Sequence, residues 1–120
     1  MENEVSQIKK WRIESQASIG AKEIRLETKW KNGNLLYKFD VDLTGPSNII
    51  LANRHSYNGF DVEFLDSDSF KLFSFHISLN NMTSIVDENG VTVGLSANNE
   101  IQVSAVEYKK IEGWSVGWNF

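Results

Sequence analysis

The chain has 120 residues, a formal charge of −4 and no cysteine, which excludes disulfides, thiolate metal sites and cysteine nucleophiles. No basic run exceeds the pairs Lys9-Lys10 and Lys109-Lys110, so the electrostatic footprint of a nucleic-acid binder is missing. No apolar stretch approaches the ~18 residues of a membrane helix, and the opening residues lack the apolar centre of a signal peptide. The expectation is one soluble domain over 1–120, in the cytoplasm, or in the periplasm if a signal has been removed.

Valine, isoleucine and threonine total 23 and alanine only 5, a balance that favours strands. Residues 1–10 are read as a flexible lead, followed by a strand over about 11–18 in which Trp11, Ile13, Ser15 and Ala17 share one parity. Ile24, Leu26, Thr28 and Trp30 then alternate with polar residues, Asn32-Gly33 intervenes, and Leu35, Tyr37, Phe39, Val41 and Leu43 alternate again. Period-two spacing on both sides of Asn-Gly predicts a β-hairpin with a type I′ turn. Gly45-Pro46 must stop the second strand, because proline lacks a donor and fixes φ.

Ile49, Ile50 and Leu51 suggest a short buried strand, and 53–59 a polar loop. Phe60, Val62 and Phe64 form a half-exposed strand that ends at Asp66. After the turn at 66–69 the phase breaks: Phe70 and Leu72 share one parity, whereas Phe73, Phe75, Ile77 and Leu79 share the other. A β-bulge near Leu72 and Phe73 would bring both sets to the core. Ile85 and Val86, then Asn89-Gly90, then Val91, Val93 and Leu95 predict another tight hairpin. Residues 96–100 read as a polar loop before a short strand through Ile101 and Val103. Ser104 and Glu107 have capping-box spacing, predicting one or two helical turns near 104–111. Trp114, Val116, Trp118 and Phe120 alternate with small or polar residues in a closing strand.

Catalytic chemistry is thinly supplied. Only His55 and His76 could act as imidazole bases, and no nucleophile elbow, zinc-binding helix motif, P-loop or dinucleotide fingerprint occurs. Asp66-Ser67-Asp68-Ser69 starts like a calcium loop, but Lys71 and Ile77 stand where it needs glycine and a bidentate acid. Asn81-Met82-Thr83 fits a glycosylation sequon, which has meaning only on a secretory route. The expectation is a protein that is not an enzyme and takes no cofactor or metal. Trp30, Trp114 and Trp118 fall on the apolar parity of their strands and are read first as core. Should Trp114 and Trp118 face outward, they would form an apolar stripe suited to a partner. With them, Arg54, His55 and Tyr57 in the 53–59 loop complete the candidate binding residues, since loops on a rigid sandwich commonly carry recognition.

Phe60-Asp61-Val62-Glu63-Phe64-Leu65-Asp66-Ser67-Asp68-Ser69-Phe70, with Trp30-Lys31-Asn32-Gly33-Asn34-Leu35-Leu36-Tyr37 before it, resembles the strand-turn-strand units of small bacterial immunoglobulin-like β-sandwich modules of the FxLYD type. The resemblance covers about a third of the chain, and Ser69 stands where that turn favours glycine. It implies a bacterial protein with a binding or spacer role and no catalytic residue. The sequence therefore predicts an all-β, antiparallel immunoglobulin-like sandwich of seven to eight strands, binding another protein through a sheet edge or its end loops. The alternative is a small sandwich or barrel holding an apolar or carbohydrate ligand against its aromatic residues.

Overall fold

The computed structural model describes residues 8–16, 20–44 and 59–119. They form an all-β sandwich of eight strands: β1 (Lys9–Gln16), β2 (Ala21–Lys31), β3 (Asn34–Leu43), β4 (Gly59–Leu65), β5 (Lys71–Ser78), β6 (Thr83–Val86), β7 (Thr92–Gln102) and β8 (Gly113–Asn119). A 3-10 turn (Leu79–Asn81) follows β5, and the helix α1 (Ala105–Lys110) follows β7. One antiparallel sheet has the order β1-β2-β3-β7-β6 and the other β5-β4-β8.

The β2–β3 hairpin forms as its alternation demands. Asn32 and Gly33 adopt φ of 52° and 87°, the left-handed pair of a type I′ turn. Ile24, Leu26, Thr28 and Trp30 on β2, and Leu35, Tyr37, Phe39, Val41 and Leu43 on β3, are all buried. These side chains meet the inner face of the other sheet, where Phe39 stacks on Phe60 with centroids 5.2 Å apart and Tyr37 on Phe75 at 4.6 Å. Trp30 anchors the far end, donating from Nε1 to the Val103 carbonyl at 2.7 Å.

The phase break in β5 is a β-bulge. Phe64 pairs with Phe73 but Leu65 pairs with Lys71, so Leu72 is the additional residue and Phe73, Phe75 and Ile77 return to the core side. Phe70 does not join them: it is 71% exposed in the turn before β5. Gly59 begins β4 at φ 147°, and a Cβ there would lie 2.0 Å from the Ile77 carbonyl oxygen, so only glycine permits this approach of β4 to β5.

Two expectations need correction. Residues 96–100 are not a loop, because β7 runs unbroken through them, paired with β3 from Asp42↔Gly94 to Asn34↔Gln102. Its ladder to a central strand overrides the poor strand propensity of Asn98, Asn99 and Glu100, whose side chains are exposed. The first strand begins at Lys9 rather than 11, and Lys9 is fixed by hydrogen bonds to the carbonyls of Tyr108 and Ile111 at the end of α1. The short strand expected at 49–51 lies outside the described residues, as do Ala17 and the residue after it in the first strand.

The helix is capped as its spacing predicts: the Ser104 hydroxyl accepts from the Glu107 amide at 3.1 Å, and Lys109 and Lys110 occupy the last turn. It delivers Tyr108 and Ile111 into the core, where the Tyr108 hydroxyl lies 3.2 Å from Oγ1 of Thr28, the one buried polar side chain among the described residues.

Candidate functional site

His76 lies on the outward face of β5, directly across from Asp61 of β4, with Nδ1 2.7 Å from the Asp61 carboxylate and both side chains exposed. It is a cross-strand surface pair, as the strand parity implies. The Asp66 carboxylate is occupied by its own turn, accepting from the amides of Asp68 at 2.9 Å and Phe70 at 3.0 Å. Among the described residues no group of three potential metal ligands converges.

The outward face of the five-stranded sheet carries two shallow grooves of about 590 and 490 Å³, which share Glu27 and Lys38. Around them charges alternate in sign. Arg25 makes two parallel bonds to Asp42 and a third, of 2.9 Å, to Glu23, and Arg12 reaches Glu23 at 3.3 Å. The hydrogen bonds to Asp42, above all, hold the Arg25 guanidinium more firmly protonated than usual. Arg12 and Arg25 are thus already partnered by Glu23 and Asp42, so these charges largely offset one another.

Aromatic side chains point the other way. Trp11 packs between the sheets against Phe64 at 5.7 Å and Trp114 at 6.3 Å, and Phe64 also contacts Phe73 and Phe75. Trp114 and Trp118, facing Phe64 and Phe60 across the β4–β8 ladder, are half-buried against the same core and do not form an outward stripe. Phe70 is the one exposed aromatic among the described residues. Arg54, His55 and Tyr57 lie outside the described residues.

What remains is the edges, of which sequence reading located none because an edge is a property of the sheet order. Of the four edges among the described strands, three are guarded in recognisable ways. β1 carries Lys10, Arg12 and Glu14 on its outward parity, and Lys9 donates from Nζ to the carbonyls of Tyr108 at 2.9 Å and Ile111 at 2.8 Å. β5 is broken by its bulge and bears Lys71 and His76, and β6 has only four residues. β8 differs. Its sequence, Gly113-Trp114-Ser115-Val116-Gly117-Trp118-Asn119, contains no charge, no proline and no bulge, and its far side is paired with no strand among the described residues. The outward parity holds only Ser115 and Gly117, and a Cβ added at Gly117 would meet nothing within 4 Å. An edge of this composition, where it stands open, is a row of amides and carbonyls that an extended segment can pair with. None of the described helices is long and apolar enough to cross a membrane. Compared with protein-family models, with curated proteins and with solved structures, the chain gives no significant match.

Proposed function

We propose that this protein is a non-enzymatic interaction module, an immunoglobulin-like sandwich that binds another protein through a sheet edge or its end loops, with β8 as the candidate edge. The observation that carries the reading is the contrast among the edges of the described strands: three carry charge, a bulge or only four residues, and the sequence of β8 carries no charge, proline or bulge. Main-chain hydrogen bonds would supply the affinity of strand addition. The resemblance of the strand-turn-strand unit to FxLYD-type modules supports a binding role of this kind. The ligand-stacking alternative gains no support from the described residues, whose aromatic rings are directed inward apart from Phe70.

A peptide-display selection of extended alternating sequences against the folded domain tests the proposal. Selected peptides should bind the wild-type domain and lose at least tenfold in affinity against Gly117→Lys, which sets a charge on that edge without a clash. Binders indifferent to that substitution would refute the edge as the site.

A further inference from the structure

We infer that the β6–β7 hairpin is a docking surface for a basic, apolar segment of another protein, one in which lysine or arginine flanks branched apolar side chains. Six large apolar residues are exposed among the described residues, and three of them, Ile85, Val86 and Val93, belong to this one hairpin, at 43%, 56% and 38%. The others, Ile8, Phe70 and Val106, stand far apart in the sequence. Single apolar side chains on a surface are ordinary, whereas a cluster of them marks a contact. Local structure produces this one. Ile85 pairs with Gly94, and its δ-methyl carbon lies 3.6 Å from where a Cβ of Gly94 would stand, so the side chain rests over the glycine on the outward face, beside Asp42, the other partner of Gly94. Val93 is the additional residue of a bulge, since Ile85 pairs with Gly94 but Val86 with Thr92, and it remains in solvent although it shares its parity with the buried Leu95.

The surrounding charge decides what can cover these side chains. From Ile77 to Tyr108 the chain has no lysine, arginine or histidine, and it carries the acids Asp87, Glu88, Glu100 and Glu107. Asp87 and Glu88 follow Val86 directly, both exposed in the turn. Asp40 and Asp42 stand across from Ser96 and Gly94 on the outward face, and although Arg25 answers Asp42, neither Glu88 nor Asp40 has an ion pair among the described residues. A second copy would set acid against acid, and an anionic bilayer would be repelled in the same way. A cationic apolar segment is drawn by the acidic rim and removes the isoleucine and valines from water. This surface lies on the five-stranded sheet and β8 on the other, so the two are tested independently.

The probe is a fluorescein-labelled peptide of alternating lysine and leucine, titrated with the intact chain at about 0.15 M salt. Anisotropy should saturate with a dissociation constant of roughly 10–100 µM, and the amide resonances of the isotope-labelled chain that move should be those of 83–94. Glu88→Lys and Val86→Ser should each weaken binding about fivefold or more with unchanged far-ultraviolet circular dichroism, and Phe70→Ser, at an exposed position of a different hairpin, should not. A peptide of alternating lysine and serine, and vesicles containing phosphatidylserine, should not bind. Absence of binding by the lysine-leucine peptide, equal binding by both variants, equal binding of the lysine-serine peptide, capture by the vesicles, or amide shifts gathered on 113–119 would each overturn the inference. The peptide selection then decides the reading of β8 separately.

Discussion

Two turns in this molecule make a matched experiment. In the β4–β5 hairpin the Asp66 amide donates to the Phe70 carbonyl at 2.9 Å, and the Ser69 amide donates to the Asp66 carbonyl at 3.0 Å. In the β6–β7 hairpin Asp87 and Val91 make the 2.9 Å bond, and Gly90 and Asp87 the 3.0 Å bond. The side chain of the leading aspartate accepts two amides in each, at 2.9 and 3.0 Å. The difference lies in the left-handed residue, which is Ser69 at φ 68° in one turn and Gly90 at φ 80° in the other. A left-handed L-residue costs about 1–2 kcal/mol, against about 0.5–1 kcal/mol of additional chain entropy that glycine loses on folding. Ser69→Gly should therefore stabilise the domain by about 0.5–1 kcal/mol. Gly90→Ser, whose Cβ meets nothing within 4 Å, should destabilise it by a similar amount. For a domain of this size the two melting temperatures should move about 2–5 °C in opposite directions, measured by differential scanning calorimetry. Shifts of the same sign, or a lower melting temperature for Ser69→Gly, would refute the argument.

Other outcomes follow from the same packing. Gly59→Ala forces a methyl group into the Ile77 carbonyl and should cost about 3 kcal/mol in urea unfolding, whereas Gly117→Ala should be near neutral; equal effects would contradict the close approach of β4 to β5. Phe64→Ala empties the centre of the aromatic cluster and should cost about 3–5 kcal/mol, while Phe70→Ala at the exposed turn should stay within about 0.5 kcal/mol. Burial raises the pKa of the Tyr37 phenol above its ordinary 10.0, so the unfolded chain releases that proton first and stability falls as pH climbs past about 10. Tyr37→Phe should reduce that alkaline loss; an unchanged pH profile of unfolding would show that Tyr37 does not contribute to it.

Hairpins were legible in the sequence because their signals are local. Asn32-Gly33 between two alternating runs admits few other structures, and the parity switch after Phe70 pointed to the bulge at Leu72 before any partner strand was known. The same switch misled for Phe70 itself, because Asp66 draws the Phe70 amide into the turn and leaves its ring in solvent. Residues 96–100 failed for a different reason. Ser96, Asn98 and Glu100 face outward and Asn99 is exposed at the end of the inner face, so no alternation survives, and only pairing with β3 keeps the segment extended. Lys9 misled in the opposite way, since its charge reads as surface although its amine is bound over the Tyr108 ring, 4.8 Å from the centroid, and burial lowers its pKa. The place of β8 at the end of the strand order among the described residues could not be read at all, because the aromatic alternation of 114–118 looks the same in a central strand and at an edge.

The insertion of β7 between β3 and β6 also bears on synthesis. During translation the meander β1-β2-β3 leaves the ribosome first, yet one flank of β3 acquires its neighbour only after the chain has been extended from Leu43 to Thr92 and beyond. At ~5–20 residues per second that flank waits roughly 2–10 s, an interval in which a nascent chain is vulnerable to pairing with its neighbours on a polysome.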